Sequence, residues 1–496
     1  MVPGALSLLI SASVWSLGLT LPARTVKQDD RTDANKNTPS DGGLFISDQI
    51  VKANKGIPYI LYQGDIRLLT SRSARICDAC AWDKSGQGLV IVPYVISSVY
   101  SGTNKDLITS ALLEFETMTC VRFRVRNKES NYLNVDDGEG CWSYIGRIRG
   151  AQTVSLQQTA CMNYGLIQHE MMHALSFFHE HNRFDRDSYV KINWQYISPE
   201  AKDQFKMDNG NAFNISYDYT SVMHYSSKTF VNTSGQVSII PIPNPNVSIG
   251  QRTGLSSLDV KRINALYNCN LCRTKLLGAS GNFSSSDATA TNTSDNCLWL
   301  LHAPSNLILL QFAKFVCLSK NCNAKINVYN GVTKNSSLLA TVIAGQPLPV
   351  LVSSSTLVLL EYITNASTQS SFSGSYSTVM YGGTFTTDGG SVRSPNYPFS
   401  YPNNARGIYI IIAPPKKQVL LTFSEFDIES SSKCSNDSLR ITDGGNLNAP
   451  LLGVYCGNRS DLVITSSGPM VVLQFSSNSN INGKGFKANF SFVSTR

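Results

Sequence analysis

A short stretch of the chain, from residue 169 to residue 180, contains residue types that together could hold a metal ion. His169 and His173 are four positions apart, so on a helix their imidazoles lie on one face and can reach the same ion. Glu170 lies beside them. If the helix continued, its rotation of about 100° per residue would point His179 away from His173. The chain must therefore turn between these two histidines.

Three protein ligands would leave a fourth position for water, and zinc makes such a water acidic enough to supply hydroxide near neutral pH. Glu170 would then accept the proton. The alternative is that these histidines are core or surface residues of an amphipathic helix. Four of the six histidines of the chain fall between residues 169 and 181, which favours a metal site over chance. The stretch therefore predicts a catalytic zinc site.

The turn after the second histidine has an unusual residue type. Glycine commonly ends a helix at such a turn because it adopts a positive φ without strain, but this chain has Ser176. A non-glycine residue with positive φ costs on the order of 1 kcal/mol. We therefore expect Ser176 to lower stability more readily than it would abolish metal binding.

A second motif, residues 221–225 (SVMHY), lies downstream of the histidines, and residues 183–187 (RFDRD) follow them closely. The elongated histidine spacing goes with a methionine-containing turn, and together the segments resemble the astacin family of secreted zinc endopeptidases. The resemblance implies that Met223 lies under the metal. It also implies that Tyr225 is a further zinc ligand that swings away to stabilise the transition state. Without the family, Met223 would be a core residue and Tyr225 a buried hydroxyl with a partner.

Residues 24–72 are predicted to be a propeptide. Their first part, up to residue 56, is rich in Lys, Asp, Asn, Thr and Ser, so it is expected to be flexible in isolation. Residues 62–66 (YQGDI) resemble the pro-segment motif of the family, in which an aspartate occupies the water position on zinc. Asp65 would then keep the proenzyme latent. The alternative is that Gly64 and Asp65 only form a turn.

Activation would require a second protease. The resemblance places the mature N-terminus near Arg72-Ser73, with Arg75-Ile76 as the second candidate bond. It further implies that the new N-terminus inserts beside the glutamate that follows the third histidine, which is Glu180 in this chain.

The N-terminus has the pattern of a secretory signal peptide. An apolar run from Ala5 to Leu21 precedes Pro22-Ala23-Arg24, so residues 1–23 are predicted to be removed. A membrane anchor is the alternative, because no Lys or Arg precedes the run. No other stretch has the roughly 18 uninterrupted apolar residues that span a bilayer. We therefore expect a secreted, extracellular protein with no membrane span in its mature form.

Residues 73–270 are predicted to form the catalytic domain. Residues 89–94 have the composition of a strand and residues 105–119 have apolar residues at helical spacing, which fits the α+β fold of the family. Its six cysteines, in a secreted context, predict disulfides. The resemblance implies the pairs Cys120–Cys269, Cys141–Cys161 and, as in the hatching-enzyme branch of the family, Cys77–Cys80. A redox or zinc half-site is the alternative for the last pair.

The remainder of the chain contains an internal repeat. From residue 271, Ser, Asn and Thr alternate with apolar residues, which predicts an all-β structure. Residues 272–379 are similar to residues 380–493, and VYNG at 328–331 corresponds to ITDG at 441–444. The repetition implies two sandwich modules, which resemble CUB domains. The predicted cysteine pairs are Cys272–Cys297 and Cys317–Cys322 in the first module and Cys434–Cys456 in the second.

Many CUB domains bind calcium through a glutamate, a nearby aspartate and an acidic residue close to the C-terminal end. Glu429, Asp437 and Asn478 occupy those positions in the second module, and carboxylate and amide oxygens are the ligands that calcium prefers. Asn478 lacks the charge of an acid, which should weaken binding. Polar surface residues without an ion are the alternative. The first module has apolar or basic residues in this region, so we expect no calcium there.

Composition limits the functions that are open to the chain. The 496 residues, 42% of them hydrophobic, suffice for about three domains. The net charge of +8 is spread along the chain without a Lys/Arg block, which argues against a nucleic-acid partner. Several Asn-x-Ser/Thr sequons indicate a glycoprotein.

The leading hypothesis is a secreted zinc endopeptidase, made as a latent proenzyme, whose CUB-like modules hold it on an extracellular matrix. A catalytic domain followed by two CUB modules, with the extra CxxC pair, looks most like a hatching enzyme that digests the egg envelope. A matrix- or growth-factor-processing protease of the tolloid type is the alternative, although such proteases usually carry further modules downstream. A catalytically silent CUB binding protein, with Ser176 as the lesion, is the alternative of another class.

Overall fold

The computed structural model of the protein describes residues 46–68, 80–208, 210, 212–251, 253–287, 296–317, 323–364 and 370–494. All of them belong to one compact unit, Phe45–Arg496. The predicted signal peptide, the Arg72-Ser73 bond, Cys77 and Cys322 lie outside the described residues.

The N-terminal half of the described chain mixes helices and strands. In chain order its elements are α1 (Ile46–Ala53), β1 (Leu61–Tyr62), β2 (Ile66–Arg67), β3 (Val90–Ile96), α2 (Gly102–Met118), β4 (Val121–Val125), β5 (Tyr132–Asp136), β6 (Cys141–Tyr144), β7 (Ala151–Leu156), α3 (Tyr164–Ala174), β8 (Val190–Ile192), β9 (Ile239–Pro241) and α4 (Ser257–Leu266).

One seven-stranded sheet positions the active-site region. Its order is β1-β2-β6-β7-β5-β3-β4, in which β3, β4, β5 and β7 run parallel and β6 is antiparallel to β7. Helix α2 packs against α3 and β4, and α3 packs against β6 and β7. Strand β6 is therefore close to α3, and β2 of the predicted propeptide extends the sheet by pairing with it in parallel.

Local sequence signals explain where α2 begins and ends. The side chain of Ser101 caps the helix by accepting a hydrogen bond from the backbone N–H of Asn104. Cys120, just beyond the helix, is bonded to Cys269. A second disulfide joins Cys141 on β6 to Cys161 before α3. These are the two pairs that the family resemblance implies. Cys80 is also disulfide-bonded.

Helix α3 ends in the tight turn that the histidine spacing requires. Ser176 has a φ of 80°. Its N–H donates to the carbonyl oxygen of His173, and the N–H of Phe177 donates to that of Met172. This pattern is the Schellman motif, in which the residue after the helix cap is usually glycine. The Ser176 hydroxyl donates to the carbonyl oxygen of Cys80 at 3.0 Å, which partly offsets the strain of its backbone.

The C-terminal half consists of strands in two modules. The first contains β10 (Arg273–Leu277), β11 (Ser280–Ser284), β12 (Cys297–His302), β13 (Leu307–Cys317), β14 (Lys325–Tyr329), β15 (Leu338–Ile343), β16 (Val350–Val352), β17 (Leu357–Ile363) and β18 (Ser370–Val379). The second contains β19 (Tyr381–Phe385), β20 (Ser391–Arg393), β21 (Arg406–Ile412), β22 (Lys417–Ile428), β23 (Ser438–Asp443), β24 (Leu451–Tyr455), β25 (Gly457–Asn458), β26 (Val463–Thr465), β27 (Met470–Ser476) and β28 (Gly485–Ser494).

The two modules repeat one topology. Sheet β10-β12-β17-β14-β15 of the first corresponds to sheet β19-β21-β27-β23-β24 of the second, and in both the first pair of strands is parallel. The second sheets are β11-β18-β13-β16 and β20-β28-β22-β25, the latter with β26 beside β22. Disulfides join Cys272 to Cys297 and Cys434 to Cys456, and Cys317 is disulfide-bonded. The predicted fold class, an α+β domain followed by two β-sandwiches, is confirmed.

No helix in the described part of the chain is both long enough and apolar enough to span a bilayer.

Candidate active site

Helix α3 carries two of the histidines and the glutamate in a fully buried position. Asn163 caps its N-terminus by accepting a hydrogen bond from the N–H of Leu166. Apolar neighbours such as Ile167 and Met171 pack the helix into the core of the domain. This packed helix therefore carries three side chains that are buried from water, those of His169, Glu170 and His173.

Three imidazoles and one carboxylate converge at the end of this helix. The turn at Ser176 brings His179 back, so that one ligand atom from each of His169, His173, His179 and Asp65 lies within 4.8 Å of the others. Asp65 Oδ2 is 3.0 Å from His169 Nε2 and 3.3 Å from His179 Nε2, and its Oδ1 is 3.3 Å from His173 Nε2. The predicted latency residue thus occupies the same cluster as the predicted ligands.

Hydrogen bonds to the outer nitrogens fix the state of all three rings. Nδ1 of His169 is 2.9 Å from the carbonyl oxygen of Val222, and Nδ1 of His173 is 2.7 Å from that of Phe177. Nδ1 of His179 is 3.0 Å from the side-chain oxygen of Gln63. Since these partners only accept, each Nδ1 carries the proton and each Nε2 presents a lone pair inward. Three nitrogens and one carboxylate oxygen form the donor set of a tetrahedral zinc site.

The electrostatics of the cluster agree with a bound cation. His169 Nε2 and His179 Nε2 are only 3.3 Å apart, so their lone pairs repel unless a positive charge lies between them. Burial lowers the pKa of His179 to about 4, which favours the neutral ring that binds metals. Burial alone would raise the pKa of Asp65, but positive charge on the neighbouring imidazoles lowers it well below its usual range. Where the rings are neutral, a bound cation would have to supply that charge.

Glu170 is the candidate proton acceptor, and its carboxyl group is buried. Both of its oxygens are buried and have no hydrogen-bond partner in the described part of the chain. Burial, and secondarily the charge of Asp65, raise the pKa of Glu170 well above its usual range. Buried polar atoms without partners are rare in proteins and often mark functional sites.

The predicted methionine turn lies directly beside the cluster. Asp259 of α4 holds it, because its carboxylate accepts hydrogen bonds from the Ser221 hydroxyl and the Val222 N–H. Met223 is buried in the same core as helix α3, and its carbonyl oxygen accepts a hydrogen bond from the N–H of Glu180. The turn thus fixes the segment that follows the third histidine.

Tyr225 is buried beside the third histidine. Its ring centroid is 4.8 Å from that of His179 and is stacked 3.8 Å from that of His181. Its hydroxyl donates a hydrogen bond to the carbonyl oxygen of Gln63 in the pro-segment. The tyrosine is therefore tied to the pro-segment, and His181 supports the face of its ring.

The predicted pro-segment crosses the site through residues 62–66. Gln63 uses its side chain twice, since its oxygen faces His179 and its amide donates to Asp208. The Tyr62 hydroxyl also donates to Asp208, at 2.9 Å. Gly64 has a φ of 84°, and a Cβ there would lie 3.0 Å from the Tyr225 hydroxyl. A side chain at this position would crowd the tyrosine and strain the backbone, which favours glycine.

A helix and an asparagine anchor the pro-segment outside the site. Ser47 and Asp48 of α1 hydrogen-bond to the side chains of Ser226 and Thr229, just after the tyrosine. Asn54 bridges two segments of the chain, because its amide donates to the carbonyl oxygens of Gly64 and Cys141. Its oxygen accepts from the N–H of Cys141.

An arginine of the pro-segment lies against aromatic rings of β6. The guanidinium carbon of Arg67 is 4.0 Å from the ring centroid of Tyr59, 4.8 Å from that of Trp142 and 5.5 Å from that of Tyr144. Trp142 and Tyr144 belong to the catalytic domain. This contact is a cation–π interaction between the two parts of the chain.

Glu180, the residue that follows the third histidine, is also buried. One of its oxygens is 2.7 Å from Arg262 and 3.2 Å from Arg183, and accepts from the N–H of Asp218. Burial is the largest influence on Glu180 and raises its pKa to about 7, against the lowering effect of the two arginines. A cavity of about 360 Å³ opens beside it and is also lined by Phe177, Ala212 and Phe213.

The three calcium candidates of the second module also come together. The side-chain amide of Asn478 donates to Glu429 at 2.7 Å, and its backbone N–H donates to Asp437 at 2.7 Å. The Tyr401 hydroxyl donates to the second oxygen of Asp437 at 2.6 Å. The amide of Asn436 donates to the other oxygen of Glu429.

Sequence reasoning missed three residues of the main site. Gln63 and Asp208 are far apart in the chain, so their contact with each other could not be inferred from spacing. His181 carried a usable signal, because it is one of only six histidines in the chain and lies two positions after His179. Its burial against Tyr225 depends on the turn between them.

The fold and the geometry of the site define a class of enzyme. A helix with two histidines and a glutamate, a third histidine after a tight turn and a methionine turn beside them are the parts of a metzincin-type metallopeptidase. The donor set of the cluster is compatible with a metal ion.

Comparisons with known proteins identify the family within that class. A model of the astacin family (Peptidase family M12A) matches residues 81–268, and the CUB-domain model matches residues 272–376 and 381–490. "Embryonic protein UVS.2" of Xenopus laevis is 39% identical over 457 residues, which is 91% of this chain and 88% of that protein. "Astacin-like metalloendopeptidase" of Gallus gallus is 41% identical over 369 residues, 73% of this chain and 90% of that protein.

A fish enzyme is also similar in the catalytic part. "High choriolytic enzyme 1" of Oryzias latipes is 46% identical over 233 residues, 46% of this chain and 86% of that protein. A solved structure of this "hatching enzyme zinc-protease" covers 41% of this chain and 99% of its own, with a TM-score of 0.38. The present chain belongs to the astacin family, which is zinc-dependent, and it is a metalloendopeptidase.

Proposed function

We propose that the protein is a secreted, latent zinc endopeptidase that digests egg-envelope protein at hatching once its pro-segment has left. The convergence of Asp65 with His169, His173 and His179 carries the latency part of the proposal. The similarity to "High choriolytic enzyme 1" supports the choice of substrate. Membership of the astacin family supports secretion and an extracellular protein substrate.

The side chains around the cluster divide the catalytic work. His169, His173 and His179 would hold zinc, which when bound supplies a Lewis acid for the scissile carbonyl and makes water more acidic. Glu170, whose oxygens have no other partner in the described chain, would accept the proton of the attacking water and pass it to the leaving amine.

Tyr225 would act only after the pro-segment leaves. Its hydroxyl is engaged by the carbonyl oxygen of Gln63 in the latent form. Release of that bond frees a donor for the oxyanion of the transition state, where a buried hydrogen bond is worth most. The pro-segment would therefore block two features of the site, Tyr225 through the backbone of Gln63 and the histidine cluster through the carboxylate of Asp65.

Activation would proceed by cleavage near Arg72-Ser73 by another protease. The new N-terminal amine would then enter the cavity beside Glu180, where a buried carboxylate already lies between two arginines. Pairing with a further cation would favour the ionised form of that carboxylate.

We also propose that the second CUB module binds calcium through Glu429, Asp437 and Asn478. Their contacts bring two carboxylates and one amide within reach of one ion. The amide of Asn478 would have to turn its oxygen inward. Calcium should raise the thermal unfolding midpoint of the full chain but not of its Asp437→Asn variant. An equal response of the two proteins would refute this site.

The substrate proposal is tested by incubating the activated full chain with isolated egg envelopes and, separately, with a fibrillar matrix preparation. We expect soluble fragments from the envelopes, blocked by a zinc chelator and absent with the Glu170→Gln variant. Cleavage of matrix protein with intact envelopes would overturn the hatching role in favour of matrix processing. Bound zinc with no proteolysis of any protein would favour a silent binding protein.

A further inference from the structure

Two strands of the first CUB module are buried on both faces, although such antiparallel sheets commonly leave one face in water. In β12, Trp299 and Leu301 lie in the core between the two sheets of the module. The alternate residues Leu298 and Leu300 belong to the core of the catalytic domain. Strand β17 divides its residues between the two cores in the same way. The outer face of this sheet is therefore packed against the protease.

The partner of this face includes helices α2 and α4 of the catalytic domain. Ala111, Leu112 and Phe115 of α2 and Ile263 of α4 are members of the shared core. At the edge of the contact, the Arg273 guanidinium donates to the carbonyl oxygen of Thr117 at 3.1 Å. The two domains thus share one apolar core and are not merely tethered by the linker.

A buried ion pair lies inside this contact. Lys275 of β10 and Glu114 of α2 are 2.8 Å apart, and both side chains are completely inaccessible to solvent. His302 of β12 is the third member, with Nδ1 3.2 Å from the lysine nitrogen. Burial lowers the pKa of His302 well below its usual range, with a further contribution from Lys275, so the ring is neutral. Lys275 is therefore the positive charge that faces Glu114.

The ion pair is connected to the catalytic helix. The hydroxyl of Tyr164, the first residue of α3, donates to the second oxygen of Glu114 at 2.9 Å. The Tyr164 ring also meets the ring of His302 edge-on, with centroids 5.3 Å apart. One turn further along, the amide of Gln168 donates to the carbonyl oxygen of Ala111 on α2. Glu114 thus fixes the end of the helix that carries His169 and Glu170.

We propose that the first CUB module is an integral part of the catalytic unit and that its Lys275 is a positioning residue for helix α3, acting through Glu114 and Tyr164. Without Lys275, an ionised Glu114 would be buried without a counter-ion, which is strongly destabilising. The carboxylate would then draw in water or a proton, and the anchor of Tyr164 would shift. A displacement of about 1 Å at the reacting groups is enough to reduce turnover up to 100-fold.

The chain contains a matched control for this ion pair. Lys334 and Glu361 belong to the same module and are 3.0 Å apart, but the lysine side chain is 54% exposed. Glu361 is itself only 6% exposed, but its carboxylate also accepts hydrogen bonds from Asn296, Asn327 and Tyr329. Lys334→Met therefore removes a lysine from a pair of the same chemistry in the same module, while the carboxylate keeps three other partners.

The test is a double-mutant cycle in the activated full-length enzyme, with Lys275→Met, Glu114→Gln, the double variant and Lys334→Met. We expect Lys275→Met to lower the unfolding midpoint by about 5 °C or more and kcat by about tenfold or more, with KM within twofold of wild type. The double variant should regain most of both losses, because neither charge remains. Tyr164→Phe should lower kcat while leaving the ion pair intact, and Lys334→Met should behave as wild type.

Two results would overturn the proposal. One is a Lys275→Met enzyme with the stability and kcat of the Lys334→Met control. The other is a double variant whose losses equal the sum of the single ones, since independent sites are additive. If Lys275→Met does not fold, the comparison moves to the double variant and Tyr164→Phe. A wild-type kcat for Tyr164→Phe would then refute the positioning role.

Discussion

The pro-segment and the first CUB module each cover part of the catalytic domain, but different kinds of contact hold them. The pro-segment is held by hydrogen bonds of single side chains, such as those of Gln63 and Asn54, by the two-residue pairing of β2 with β6, by the cation–π contact of Arg67 and by the buried Ile50 of α1. The CUB module contributes a continuous apolar face and the fully buried pair of Lys275 and Glu114.

This difference in contacts suits a pro-segment that is removed and a CUB module that stays bound. A hydrogen bond contributes only about 0.5–1.5 kcal/mol net, because water replaces it when the partners separate. Separation of an apolar face would cost about 25 cal/mol of free energy for each Å² of apolar surface exposed to water. Loss of Lys275 would also leave a buried charge unpaired. On the proposed activation, cleavage near Arg72-Ser73 should therefore release the predicted pro-segment, whereas the CUB module should remain in place.

The largest effect is expected at the residue that the pro-segment keeps from its substrate. In the activated enzyme, Glu170→Gln removes the proton acceptor while keeping the shape of the side chain. Turnover should fall by about 10²–10⁴, the range of general base catalysis, with zinc content unchanged. Glu116→Gln is the control, because Glu116 pairs with the half-exposed Arg124. Wild-type turnover in Glu170→Gln, measured with a peptide substrate, would disprove the assignment.

The next effect concerns Asp65, the proposed latency residue of the pro-segment. Asp65→Ala removes the carboxylate from the histidine cluster but leaves the other pro-segment contacts in place. The uncleaved variant should hydrolyse a peptide substrate at least about tenfold faster than the uncleaved wild type, since general base catalysis alone supplies more than that. The control is Asp203→Ala, which changes an exposed pair with Lys206. Equal latency of the two proenzymes would mean that other contacts hold the enzyme inactive.

A smaller effect is expected from the hydroxyl that changes partner on activation. Tyr225→Phe should lower kcat of the activated enzyme by about tenfold or more and leave KM nearly unchanged, because the hydroxyl acts in the transition state. The ring should stay stacked on His181, so the unfolding midpoint should change little. A change in KM alone, in steady-state kinetics, would assign the hydroxyl to substrate binding instead.

The smallest effect tests one contact of the pro-segment, the cation–π contact of Arg67. After cleavage, Arg67→Ala should speed the release of the pro-segment by about two- to fivefold, as expected for a cation–π contact of about 0.5–1 kcal/mol. Arg126→Ala is the matched control, since Arg126 lies 4.0 Å from the ring centroid of Tyr132 within the catalytic domain. Release is followed by the rise of activity with time. Identical time courses for the two variants would exclude a role of Arg67 in retention.

Local chemistry made the catalytic cluster predictable. Two histidines four apart and a third after a forced turn need no distant information, and the positive φ of Ser176 follows from the same spacing. The location of Asp65 came from the resemblance of its motif, because no periodicity links it to residues a hundred positions away. The roles of Gln63 and Asp208 could not be predicted, since each side chain obtains its role only from a tertiary contact.

The packing of the first CUB module was only partly readable. The uninterrupted apolar runs LWLL in β12 and LVLL in β17 indicate strands buried on both faces, which departs from the alternation of a solvated sandwich. They do not reveal what covers them. Lys275 and Glu114 carry charges that are exposed in most proteins, so their burial follows only from the docking of two domains.

X-ray absorption at the zinc edge of the uncleaved full chain, wild type and Asp65→Ala, tests most directly whether Asp65 closes the site. We expect three imidazole nitrogens and one carboxylate oxygen around zinc in the wild type. In the variant, the carboxylate should be replaced by water while the three nitrogens remain. Identical zinc environments in the two uncleaved proteins would contradict the claim that Asp65 closes the site.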